Sequence, residues 1–128
     1  MEANRSRNYR VVVLDTNVLI YSFLNKLDLV AKLREEGLKA LVPSGVVGEL
    51  NNLSKGKFKK AALFALSLIE KGFIEVVESN KRSDESLIEL AEKFNAYIIT
   101  NDKNLRTRAR KRGIGVGYLR EGKILFIE

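Results

Sequence analysis

The sequence predicts one α/β domain built on a mainly parallel sheet. Three observations lead there. Short apolar segments at residues 11–14, 40–42, 74–77 and 96–99 alternate with longer stretches whose apolar residues recur at helical spacing. The first segment, Val11-Val12-Val13-Leu14, is apolar at every position, as a strand covered on both faces must be. The 128 residues, 45% apolar and 30% charged, suffice for a covered core and have ordinary globular composition. No linker, low-complexity tract or internal repeat interrupts the chain, so residues 1–128 are expected to form a single domain.

Each element has its own signal. Residues 1–9 are polar and charged and read as a frayed arm. After the first strand, Val18, Leu19, Phe23, Leu27, Val30, Ala31 and Leu33 suit one long helix or two short ones, ending at Gly37. The second strand, residues 40–42, is stopped by Pro43, the one proline of the chain. Ser44 is the expected N-cap of a helix carrying Val46, Val47, Leu50 and Leu53, with Gly56 closing it. Residues 58–71 form an amphipathic helix stopped by Gly72. A third strand follows at 74–77, and a helix from about Ser83 through Phe94. The fourth strand, 96–99, ends in Thr100-Asn101-Asp102, much as the first ends in Asp15-Thr16-Asn17. A basic helix spans 103–112, Gly113 ends it, and residues 116–119 and 124–127 supply one or two closing strands around Glu121-Gly122.

Composition removes whole classes of chemistry. The chain contains no Cys and no His. Disulfides, thiolate nucleophiles, Ser-His-Asp triads and imidazole-bound zinc are therefore excluded. Any metal must be held by oxygen, which favours Mg²⁺ or Mn²⁺. The formal charge of +7 suits a partner that is a polyanion, nucleic acid above all. The longest apolar stretch, residues 11–24, is interrupted by Asp15 and Asn17 and is too short to span a bilayer. No targeting segment is recognisable, and a cytoplasmic protein without membrane contact is expected.

Asp15 and Asp102 each follow a predicted buried strand. Parallel strands in one sheet end on the same edge, so these two carboxylates, with 86 residues between them in the chain, would meet in one crevice. Glu49, in the helix opened by Ser44, and Asp84, in the first turn of the next-but-one helix, can join them. Singly, each has an ordinary explanation: a helix-start acid favoured by the helix dipole, a loop residue, or a solvated helix residue. Together, such acids repel unless a cation lies between them, and an all-oxygen cluster suits a hard divalent ion that activates water against a phosphate.

Leu14-Asp15-Thr16-Asn17-Val18-Leu19, Glu49-Leu50, Asp84-Glu85-Ser86-Leu87-Ile88 and Ile98-Ile99-Thr100-Asn101-Asp102 resemble, in order, the four motifs of PIN domains, and the resemblance covers nearly the whole chain. It implies a three-layer α/β/α sandwich around a mainly parallel sheet. It also implies a metal-dependent ribonuclease that hydrolyses RNA with a metal-activated water. Asp15, Glu49, Asp84 and Asp102 would hold Mg²⁺ or Mn²⁺, and Thr16, Asn17 and Asn101 would orient acids or a bound water. Glu85 competes with Asp84 for the third acidic position, and matching Leu87 to the family's apolar position favours Asp84. The stretch from Asn101 to Arg120 is similar to small archaeal PIN proteins, grouped with VapC-type toxins or with the PIN nuclease of small-subunit ribosomal RNA processing. RNA, a homodimeric second copy and an antitoxin protein are the partners this resemblance implies.

The helix after Asp102 carries Lys103, Arg106, Arg108, Arg110, Lys111 and Arg112. Lys103 and the four arginines are candidates for guiding an RNA backbone toward the acids, or else form a solvated basic face. Lys55, Lys57, Lys59 and Lys60 make a second basic patch. Gly113-Ile114-Gly115-Val116-Gly117 is no phosphate loop, because it leaves a helix and enters a strand. A phosphotransfer site with Asp15 as covalent nucleophile would want a second acid at position 17, where Asn17 stands. A binding module that keeps the fold without turnover is the alternative to the nuclease.

Overall fold

The computed structural model describes residues 10–127, so the arm expected over residues 1–9 lies outside the described residues. Among the described residues, strands and helices follow one another as β1 (Val11–Leu14), α1 (Thr16–Leu24), α2 (Leu29–Glu35), β2 (Lys39–Pro43), α3 (Ser44–Leu53) and α4 (Lys59–Glu70). Then come β3 (Glu75–Val77), α5 (Ser83–Phe94), β4 (Tyr97–Ile99), α6 (Lys103–Lys111), β5 (Val116–Arg120) and β6 (Lys123–Ile127). The sheet order is β3-β2-β1-β4-β5-β6. All neighbours are parallel except the closing β5–β6 pair.

Strand alternation divides the core. Val12 and Leu14 of β1 point to a cluster filled by Val18 and Leu19 of α1, Leu33 of α2, Leu50 of α3 and Ala62 of α4. Val11 and Val13 point the other way, to Leu87, Ile88, Leu105 and Ala109 of α5 and α6. β1 is thus sandwiched between two helical layers, which explains its unbroken apolar run. The architecture is the three-layer α/β/α sandwich. β3 lies at one sheet edge and is correspondingly exposed.

Where the sequence left two options, local chemistry decides. The stretch after β1 is two helices, because the Asp28 side chain accepts from the Ala31 N–H at 3.0 Å and caps α2 and Lys26 turns the chain with a φ of 57°. The chain closes in two strands joined by Glu121-Gly122, whose φ values of 49° and 76° are both positive, as a tight two-residue hairpin turn requires. Ser44, expected as the N-cap of α3, is instead its first helical residue, with Pro43 in the cap position. Its hydroxyl is drawn away from the helix and accepts from the Ser79 N–H at 3.1 Å.

β1 has β2 on one side and β4 on the other, so the winding reverses between β1 and β4. In open parallel sheets the carboxyl ends of such a pair of strands border a ligand crevice. Asp15 and Asp102 stand there.

Candidate active site

The backbone carries Asp15 to the crevice rigidly. Its N–H donates to the Ile99 carbonyl at 3.1 Å, extending the β1–β4 ladder one residue beyond the strand. Asp15 then caps α1, with Oδ1 accepting from the Thr16 N–H at 2.7 Å. Oδ2 accepts from the Thr100 hydroxyl at 2.6 Å and from the Asn17 amide at 3.1 Å. Burial pushes the Asp15 carboxyl above its ordinary value; the Thr100 hydroxyl and Thr16 N–H pull it back, and the charges of Glu49 and Asp84 push it further up. Desolvation and like charge outweigh the hydrogen bonds.

Thr100, wholly buried, ties the two strand ends together. While its hydroxyl donates to Asp15, the same oxygen accepts from the Asp102 N–H at 3.0 Å. Asn17 closes the ring by accepting from the Asn101 N–H at 3.1 Å. The Asn101 side chain reaches β5, accepting from the Leu119 N–H at 2.9 Å and donating to the Leu119 carbonyl at 3.4 Å. Of the three polar residues expected to orient acids, Thr16 bonds Glu49 and Asn17 bonds Asp15, while the Asn101 side chain bonds the backbone of Leu119. Thr100 was not among the supporting residues expected. Its signal was present, a hydroxyl ending the apolar run Ile98-Ile99, but its meaning depends on β1 and β4 being neighbours.

The three remaining acids arrive from three helices. Glu49 on α3 accepts from the Thr16 hydroxyl at 2.6 Å through Oε1. Asp84, in the first turn of α5, is paired through Oδ2 with Arg108 of α6 at 3.2 Å. Asp102 caps α6, with Oδ1 accepting from the Asn104 and Leu105 N–H groups. Asp15, Glu49, Asp84 and Asp102 border one cavity of about 550 Å³. Its other wall is apolar, formed in part by Tyr21, Leu24 and Phe58. Glu85 is not part of that lining; it pairs with the second guanidinium nitrogen of Arg108.

The donor set suits a hard divalent cation. All the candidate donors are oxygens, and the hydrogen bonds described above engage one carboxylate oxygen each of Glu49, Asp84 and Asp102. Burial first, and then the charges of Glu49 and Asp84, already raise Asp15. Among the described residues, however, no three acids converge at metal-ligand spacing. Arg108 holds Asp84, and Thr16 holds Glu49, where a cation would compete for them.

The basic helix is more committed than its composition suggests. Arg106 donates to the Thr100 carbonyl at 3.0 Å and lies over the Tyr118 ring, 4.7 Å from its centre. Arg108 spans Asp84 and Glu85. Arg112 forks onto Glu92 at 3.0 and 3.2 Å. Lys103 and Arg110 are exposed.

A model of the PIN like domain family matches residues 12–122. The chain belongs to this family. Its curated relatives include Ribonuclease VapC9 of Archaeoglobus fulgidus, 51% identical over all of this chain and 98% of the relative. Ribonuclease VapC4 of Methanocaldococcus jannaschii is 31% identical, over 88% of this chain and 92% of the relative. Among solved structures, the PIN domain endonuclease Utp24 superposes with a TM-score of 0.76 at 24% identity, covering 91% of this chain and 90% of that one. The PIN assignment bears out the α/β/α architecture expected from the motifs. No helix among the described residues is long and apolar enough to cross a membrane.

Proposed function

We propose that this PIN-family chain acts as one domain and is a VapC-type ribonuclease, hydrolysing RNA phosphodiester bonds at the carboxylate cavity with Mg²⁺ or Mn²⁺. The observation that carries the reading is Asp15. It is anchored by Thr16, Asn17 and Thr100 at the crossover of the sheet, and the charges of Glu49 and Asp84 press on it. The full-length likeness to proteins named Ribonuclease VapC supports RNA as the substrate.

Asp15, Glu49, Asp84 and Asp102 are the residues that would hold the cation. When bound, it supplies Lewis acidity toward water and charge neutralisation at a phosphate under attack. The protein does the rest through order. Thr100 and Asn17 fix the Asp15 carboxylate, and Thr16 fixes Glu49. Asn101 locks the β4 end to β5. Tyr21 and Phe58 give one side of the cavity an apolar wall. A homodimer in the cytoplasm, restrained by an antitoxin protein, completes the proposal.

Cleavage of a labelled structured RNA, with Mn²⁺, Mg²⁺ or EDTA, tests it. Wild-type protein is expected to cut only with metal. Asp15→Asn should cut at least about a hundredfold more slowly, since even outer partners of metal ligands are worth about 10–100-fold. Cutting by Asp15→Asn at the wild-type rate would refute the site. RNA binding without metal-stimulated cutting would favour the non-catalytic module.

A further inference from the structure

A second cavity, of about 600 Å³, adjoins the first and shares Asp15, Glu49 and Asp84 with it. Its volume falls within the roughly 300–1,000 Å³ typical of ligand sites. Along α3 it is lined by Gly45 and Gly48, one turn apart, with Asn52 a turn beyond. A Cβ at either glycine would meet nothing within 4 Å, so neither glycine is required by packing; the helix surface there is simply open. Facing α3, the connection between β3 and α5 contributes Lys81 and Arg82.

Lys81 and Arg82 are the cations in this lining. Arg106, Arg108 and Arg112 of α6 are bound to a carbonyl or to carboxylates, so an RNA backbone running along α6 would have to displace them. Lys81 and Arg82 are exposed and, among the described residues, form no ion pair. They are cations available to phosphate beside the acids, where repulsion would otherwise keep a polyanion away. A backbone without side chains, as at Gly45 and Gly48, lets a bulky ligand approach closely.

We propose that this cleft is a nucleotide subsite, in which Lys81 and Arg82 hold the phosphate next to the one cleaved and its ribose lies against Gly45 and Gly48. Asn52 offers the adjoining base a donor and an acceptor. The inference rests on the ribonuclease reading, and it routes the RNA across α3 and the β3–α5 connection instead of along α6.

The test is binding of a fluorescently labelled, single-stranded oligoribonucleotide of mixed sequence to the full chain, in EDTA, over a range of salt. Lys81→Ala/Arg82→Ala should weaken binding about tenfold or more at low salt and reduce the log–log salt slope by about 0.7, for the one phosphate the pair holds. Lys57→Ala/Lys59→Ala, removing equal charge from the α4 end, should change both far less. Gly48→Leu should fold at least as stably as wild type yet bind RNA more weakly, because it fills the cleft. With metal, the Lys81/Arg82 variant should raise KM and leave kcat close to wild type. Wild-type binding that survives both the double variant and Gly48→Leu overturns the subsite and leaves the nuclease reading standing. Wild-type protein that neither binds nor cuts RNA overturns both.

Discussion

Replacing Gly117 with Ala tests the packing that holds the crevice edge of the sheet together. Gly117 sits in β5, paired with Ile99 on one side and Phe126 on the other. A Cβ there would lie 2.8 Å from the Leu125 carbonyl oxygen, 3.0 Å from Ile99 Cδ1 and 3.2 Å from Phe126 Cδ1. The Ile99 methyl can rotate aside, but the Leu125 oxygen is backbone, and the Phe126 ring packs edge-on against Tyr97 at 4.9 Å. β5 and β6 must therefore separate locally. Overpacking of this kind costs about 1–3 kcal/mol, which for a domain of this size corresponds to a melting temperature lower by roughly 3–15 °C. Because the Gly117 carbonyl accepts from the Thr100 N–H at 2.9 Å, part of the displacement should reach Asp15 and lower the cleavage rate as well. Thermal unfolding followed by circular dichroism measures the first effect. Gly48→Ala is the control in the same assay: with open space around it, that change should stabilise α3 by about 0.5–1 kcal/mol. A Gly117→Ala protein melting with wild type would refute the close contact between β5 and β6.

Three further outcomes follow from the charges. The Asp15 carboxyl is raised above its ordinary 3.8, so the unfolded chain loses this proton first as pH rises. The folded protein then loses stability from about pH 3.8 upward until the folded group has also ionised. In EDTA, Asp15→Asn should therefore gain on wild type in melting temperature between pH 4 and 7.5; a difference that stays constant or shrinks would show that burial does not dominate at Asp15. Arg108 and its partners are roughly half exposed, so Arg108→Ala should change the stability measured by urea unfolding by less than about 1 kcal/mol. The same variant should bind Mn²⁺ more tightly in a calorimetric titration, since Asp84 loses its competing cation; weaker binding would mean that Arg108 aligns Asp84 instead.

The acids were legible because their positions follow from the order of elements. Val11-Val12-Val13-Leu14 announces a two-faced strand, and any parallel sheet brings its end to the same edge as the end of Tyr97–Ile99. The partners of the arginines were not legible. Arg108 meets Asp84 across 24 positions and Arg112 meets Glu92 across 20, contacts that depend on how α5 and α6 lie side by side. A count of basic residues along α6 registers charge but not where each guanidinium is spent. Ser44 failed as a cap for the same reason, because the Ser79 N–H that draws off its hydroxyl is 35 positions away.

The pairing of β1 with β4 also sets the order in which the cavity can come into being. β1 is joined to β2 by a crossover confined to residues 15–38, but the hydroxyl that fixes Asp15 belongs to Thr100, 85 positions downstream. Contacts of such sequence separation form late and slowly. A nascent chain can therefore build one helical layer and half the sheet while its carboxylates remain unaligned. Alignment of the Asp15 carboxylate must then wait until Thr100 has been made and β4 has paired with β1.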